Sequence, residues 1–332
     1  MNIFGKLLRI EIFGESHGPV VGVMVDGCPA GIEIMPEDFA ADLGRRKGGR
    51  PGTTARVETD EPRLLSGVRG GRTTGAPLLI LFDNADVRSE DYKAVETLAR
   101  PGHADFTARR KFGGFADDRG GGHFSGRLTA GIVAAGVVAK KIIRPVSIGS
   151  AILSCGGSTD IEKTVAAAAA DRDSVGGVVE CTVQSLPVGL GEPFFDSFES
   201  TLSHLVFSIP GIKGIEIGDG FHGAAARGSE FNDVLVDASG RTRTNHAGGI
   251  NGGLTNGNDL VFRVAVRPTP TIGREQETID LETGRPAVLA AGGRHDVCFA
   301  LRLPVILEAA AALVVADFQL IARSYRQNGG LK

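Results

Sequence analysis

Residues 7–27 read LLRIEIFGESHGPVVGVMVDG: two runs rich in Val, Ile and Leu on either side of a Gly-flanked Glu-Ser-His turn. Each run has the length and β-branched content of a strand. The gap between them is far too short for the helical crossover that a parallel pair requires, so they pair antiparallel. Working outward, strand-like runs recur as APLLILFDN at 76–84, GGVVECTVQSLP at 176–187, DVLVDA at 233–238 and DLVFRVAV at 259–266. Helical patterns lie between them. MPEDFAADLGRRKGG at 35–49 begins with Pro and acidic residues and ends basic before glycine, the charge order a helix dipole favours. SGRLTAGIVAAGVVAKKII at 125–143 and VILEAAAALVVADFQLIARSYRQ at 305–327 have little polar face, which predicts helices buried on most sides. STDIEKTVAAAAADRDS at 158–174 has a capped start and a third alanine-rich run. No Pro/Ser linker or charge run divides the chain. One α+β domain over 1–332, with mixed or antiparallel sheets, is expected. Strand pairs before helices hint at an internal duplication, but no fixed period accompanies them.

Bulk composition narrows the function. With 36 basic and 39 acidic residues the net charge is −3, so no general affinity for nucleic acid or membranes is expected. Trp is absent and only two Tyr occur, which argues against base stacking. Cys28, Cys155, Cys181 and Cys298 lie far apart without a C-x-x-C pair; they suit core positions in a reducing cytoplasm, and no metal site is expected. The N-terminus lacks an uninterrupted apolar signal core, and no segment approaches the roughly 18 uncharged apolar residues of a membrane span, so a cytoplasmic protein is expected. The 48 glycines imply many tight turns and close backbone approaches.

Several of those glycines sit among histidines and arginines. Residues 100–130, RPGHADFTARRKFGGFADDRGGGHFSGRLTA, join His103 in a Pro-Gly loop to Gly120–Gly122, with Arg119 before them and Arg127 just after Ser125. Convergent backbone N–H groups and guanidinium groups suit an anion; the plainer reading is a tight turn under a packed helix. His17, after Glu15 and Ser16, is either a structural turn residue or an acid/base group. Ser16-x-Gly18 does not make the G-x-S-x-G elbow of a serine hydrolase. LGRRKGGRPGTTAR gathers Arg45, Arg46, Lys47, Arg50 and Arg56, as a solvated helix end or as a clamp for phosphate and carboxylate. Gly252 and Gly253 precede a strand ending in Arg267-Pro268-Thr269, and Arg294, His295 and Asp296 precede the last helix, with helix capping as the plain role for Asp296. The repetition of Gly-rich, arginine-bearing loops along the chain points to one shared anionic site. No G-x-G-x-x-G unit supports a dinucleotide domain.

These segments resemble the chorismate synthase family. GESHGPVVGVMVDGCPAG, LLSGVRGGRTTGAPLLILFDN, RPGHADFT, DDRGGGHFSGRLTA, GIKGIEIGDGF, NHAGGINGGLTNG, RPTPTIG and GRHDVC occur in the family's order across essentially the whole chain. The resemblance implies a single-domain β-α-β sandwich of antiparallel sheets around buried helices, assembled as a homotetramer. It implies anti-1,4-elimination of phosphate from 5-enolpyruvylshikimate 3-phosphate to give chorismate, on reduced FMN that is not consumed, with NADPH as a candidate reductant. On this resemblance His17 protonates the departing phosphate, His103 lies by the flavin, Asp296 relays the proton from it, and Ser16 and Ser125 support the network. Arg45, Arg50, Arg127 and Arg294 bind the anionic substrate. His123, Phe124, Ser125, Gly252, the run Arg267, Pro268, Thr269, Pro270 and Thr271, and Arg294 contact FMN. Departures occur at His123, Phe124 and Leu128, where the family usually has Arg, Ser and Glu, at Arg267 for Lys and at Val297 for Pro. They open a second reading, a non-catalytic flavin- or nucleotide-binding protein on the same scaffold; the joint presence of His17, His103 and Asp296 favours the enzyme.

Overall fold

The computed structural model describes residues 2–88 and 97–325. The two runs that open the sequence form strands Arg9–Gly14 and Val20–Asp26, paired antiparallel with Ile10 opposite Val25 and Ile12 opposite Val23. Leu78–Asp83 adds to the other edge of Val20–Asp26, and Arg63–Ser66 and Ile3–Phe4 complete a five-stranded antiparallel sheet. Alternation does the sorting: Val21, Val23 and Val25 point inward and are buried, as are Leu78, Ile80 and Phe82 on the neighbouring strand. A second antiparallel sheet, in the order Ile212–Ile217, Leu260–Val266, Gly177–Gln184, Ser147–Cys155, turns Val179, Cys181, Val183, Phe262 and Val264 inward.

Between the sheets run the two apolar helices. Thr129–Ile142 packs on Val20–Asp26, Leu303–Ser324 packs on Ser147–Cys155 and Gly177–Gln184, and the helices pack on each other. They cross where Gly136 meets Ala309, so closely that a Cβ on Gly136 would stand 2.3 Å from that of Ala309. The core is continuous through all four layers. Leu303–Ser324 is long and apolar enough to cross a bilayer, yet most of it lies inside the molecule. Its two buried carboxylates have structural partners. Asp317 accepts from the backbone N–H groups of Lys6, Leu7 and Leu8; Glu308 accepts from Arg45, Lys140 and Ser150.

Three expectations need correction. DVLVDA is not a strand: beyond a single bridge from Leu235 to Thr242 it has no sheet partner among the described residues, and Val234, Leu235 and Val236 are exposed. Asp233 instead accepts from Thr244, His246 and Ala247, which pins the segment as a loop. Asp296 is not a helix cap; its carboxylate accepts from Thr54 N and Arg302. The helix at 158–174 is capped by Asp160, which accepts from Lys163 N, and spans Ile161–Ala170. All four cysteines are buried and free.

Candidate active site

Loops from the rims of both sheets converge on a cavity of ≈ 210 Å³. One wall comes from the segment after the helix Ala40–Arg46, which brings Arg46, Lys47, Thr54, Arg56, Glu58 and Asp60. The glycine loop contributes Gly120, Phe124, Ser125 and Arg127; the RPGH turn contributes Arg100 and His103. The end of strand Leu260–Val266 delivers Arg267 through Thr271, and the approach to the last helix delivers Arg294, His295, Asp296, Phe299 and Arg302.

The glycine loop is bent by three left-handed residues, Gly120, Gly121 and Gly122, at φ 60°, 83° and 51°. Ser125 then accepts from Arg127 N and starts the helical turn that leads into Thr129–Ile142. Ser125 Oγ donates to Ser16 Oγ at 3.2 Å, and Arg56 donates to Ser16 Oγ at 2.8 Å and to Ser16 O at 2.9 Å. With both lone pairs engaged, Ser16 has its hydroxyl proton left to give. His17 is buried but is not among the residues lining the cavity; its ring packs so tightly against Gly120 that a Cβ there would stand 2.2 Å from it. Burial lowers the His17 pKa, as do Arg56 and Arg119, against an opposing contribution from Asp117. His17 is therefore neutral at pH 7 in the ligand-free chain.

Positive charge dominates the lining. Arg46, Lys47, Arg56, Arg100, Arg127, Arg267, Arg294 and Arg302 are eight fixed cations, against three lining carboxylates, Glu58, Asp60 and Asp296. Asp86 and Asp105, just outside, pair with Arg294 and Arg100, which still leaves cations in excess. Asp60 is shared: Arg46 reaches it at 2.6 Å and Arg127 binds its other oxygen while donating to Asn84 Oδ1 at 2.9 Å. Burial pulls the Arg46 pKa down to about 10, helped by Arg302 and Arg127 and opposed by Asp60, so the group stays charged. Its Nε and Nη1 have no hydrogen-bond partner among the described residues. Buried guanidinium donors without acceptors are costly.

Among the residues singled out from sequence, Ser16, His103, Phe124, Ser125, Arg127, the run Arg267–Thr271, Arg294 and Asp296 line this one cavity. Others stand elsewhere. Arg45, itself exposed, forms a two-bond pair with the buried Glu308 carboxylate, at 2.7 and 2.6 Å, and Arg50 donates to the carbonyls of Arg45 and Leu301. His123 faces away, hydrogen-bonded to Gly14 O and Asn2 Oδ1. Gly252 is in a hairpin turn between Ile250–Asn251 and Leu254–Thr255, outside the lining residues. In their place the cavity holds Arg46, Arg56 and Arg302, with Glu58 and Asp60 from ARVETD. Adjacent helical residues point about 100° apart, so of Arg45 and Arg46 only one could enter the cavity, and nothing in the string RRK says which.

Such a site defines an enzyme for a small anionic molecule: one cavity with surplus guanidinium groups and with serine, histidine and carboxylate groups at its wall. Comparison makes the class specific. The chorismate synthase family model matches residues 8–320. The chain is 58% identical over 322 residues to the chorismate synthase of Chitinophaga pinensis, covering 97% of each chain, and 43% identical over 354 residues to that of Desulfovibrio desulfuricans, covering 96% and 97%. A crystal structure of chorismate synthase superposes with a TM-score of 0.74 at 25% identity, covering 96% of this chain and 93% of the other. The chain belongs to the chorismate synthase family.

Proposed function

We propose that the chain is a carbon–oxygen lyase that removes phosphate from 5-enolpyruvylshikimate 3-phosphate by anti-1,4-elimination to give chorismate, with reduced FMN as its cofactor. The observation that carries this reading is the surplus of cations in one cavity, with the buried Arg46 nitrogens awaiting acceptors. A substrate with one phosphate and two carboxylates supplies acceptors in matching number, and guanidinium groups bind both kinds of anion in two-bond geometry.

The residues present also fit a flavin. Phe124, Pro268, Pro270 and Phe299 provide apolar planes, Arg267 a cation, and Thr269 Oγ1 is buried without a partner among the described residues. Phe124, Ser125, the run Arg267–Thr271 and Arg294 would hold it. When bound, reduced FMN would supply electron density to help the phosphate leave and a base for the substrate proton. The protein orients, neutralises and moves protons. Arg46, Arg56 and Arg127 bind the anionic groups; Ser16 and His17 give the proton that the departing phosphate takes; His103 lies by the flavin, and Asp296, held by Arg302 and Thr54, accepts the outgoing proton. His17 must itself be charged for this, and a phosphate dianion at the cavity wall favours that form.

The same reading makes the protein a cytoplasmic enzyme of aromatic amino acid biosynthesis and a homotetramer acting as one domain per chain. No observation favours the non-catalytic alternative. Anaerobic assay with dithionite-reduced FMN and the enolpyruvyl substrate tests the reaction: chorismate formation supports it, and bound flavin without chorismate rejects it. Turnover with NADPH and FMN alone, without oxygen, tests whether the chain reduces its own flavin.

A further inference from the structure

His103 stands where three hollows meet, its ring lining the main cavity and both neighbours. Its Nδ1 is 2.5 Å from Asp105 Oδ1. Arg100 grips the same carboxylate with its backbone N at 3.0 Å, with Nε at 2.8 Å to Oδ2, and with Nη2 at 2.8 Å to Oδ1. Both side chains of that pair are buried, at 3% and 6% exposure. Burial raises the Asp105 pKa, but the hydrogen bonds from Arg100 and His103 outweigh it, so the group lies well below the usual carboxylate range and stays ionised.

The ring's proton can be assigned from this geometry. An ionised carboxylate only accepts and a guanidinium only donates. A bare Nδ1 would hold its lone pair against a carboxylate lone pair at 2.5 Å. Nδ1 therefore carries the hydrogen, although Arg100 Nη2 also lies 3.2 Å from it. Nε2 is the ring atom left for chemistry, on the edge that faces Gly121, where a Cβ would stand 3.3 Å away. We propose that Asp105 is a positioning residue for His103, locking the Nδ1–H tautomer so that Nε2 is the atom presented to the cavity, with Arg100 locking Asp105 in turn. What Nε2 does there rests on the function proposed above; the tautomer does not. The other charged or titratable groups around the ring are His295, Arg267, which donates to Gly102 O, and Asp117, Asp118, Arg109 and Glu282 across the second hollow.

Two measurements test it. Long-range ¹H–¹⁵N spectra of the wild-type, flavin-free protein labelled at histidine nitrogen read the tautomer directly: a protonated Nδ1 with bare Nε2 at pH above the ring's titration is expected, and the reverse overturns the proposal. In Asp105→Asn the amide can donate to Nδ1 and invert the tautomer, as happens when a histidine-orienting aspartate is neutralised elsewhere. Turnover with reduced FMN is expected to fall about 10²–10⁴-fold while KM and flavin affinity stay within a few-fold, and Asp105→Glu is expected to recover part of it. Folded Asp105→Asn with wild-type turnover and an unchanged pH profile overturns the proposal, whatever its melting temperature. If the wild type makes no chorismate, the function proposed above fails, and the histidine spectra still decide the role of Asp105.

Discussion

At Gly120 two demands coincide: a left-handed backbone at φ 60° and the His17 ring where a side chain would go. Gly120→Ala is expected to destabilise the fold by more than about 1 kcal/mol and to lower turnover by displacing His17; a thermal melt and a rate on the same preparation check both. His17 itself has a pH signature. Its folded pKa lies below the unfolded 6.5, burial being the main cause. In the window between those values the unfolded chain binds more protons, so stability rises with pH there. The His17 contribution is complete above 6.5 and is lost as pH falls through the window. Denaturant midpoints of wild type and His17→Gln from pH 5 to pH 8 are expected to diverge only in the acid half. The arginines separate by their partners. Arg267 has no carboxylate partner among the described residues, so Arg267→Ala is expected to weaken ligand binding by about 1.5–3 kcal/mol with little change in melting temperature. Arg127→Ala leaves Asp60 to Arg46 alone and takes the donor from Asn84 Oδ1, and is expected to lower both.

At the scale of elements, the helix crossing decides a sign. On an exposed helix Gly→Ala is stabilising by roughly 1 kcal/mol. At Gly136 the new methyl would meet Ala309 backbone and side chain at 2.6 and 2.3 Å. Gly136→Ala is therefore expected to destabilise, by about 1–3 kcal/mol for an overpacked core; a raised melting temperature would refute the crossing. The helix Ala40–Arg46 offers a second test. Arg45 ties it to Glu308 on Leu303–Ser324, so Arg45→Ala is expected to lower stability and leave KM within a few-fold. A raised KM with an unchanged melt would return Arg45 to the substrate.

Over the whole molecule, apolar side chains remain exposed in places that a lone chain does not cover. Phe194, Phe195 and Phe221 are 86%, 93% and 85% exposed, and Leu235 in the unpaired DVLVDA loop is 67% exposed. Burial of such groups drives association. If the homotetramer proposed above forms, light scattering gives four chains per particle, and Phe195→Ser is expected to shift that distribution toward smaller species.

The residues alone determined the layered class of this fold, because strand pairing and helix burial are written in local periodicity: LLRIEIFG and PVVGVMVDG, joined by so short a turn, pair antiparallel, and an all-round apolar helix must be covered on every side. They also determined the family, through many short segments in one order, and most of the cavity wall, because glycine, arginine and histidine in loops announce an anion. DVLVDA misled because alternation marks a strand only if an edge is there to receive it. The choice of Arg46 over Arg45 and the outward turn of His123 were decided by tertiary structure alone. Each depends on which way a side chain points from an element already placed, and on partners up to 263 residues away, as Glu308 is from Arg45; no local pattern encodes that.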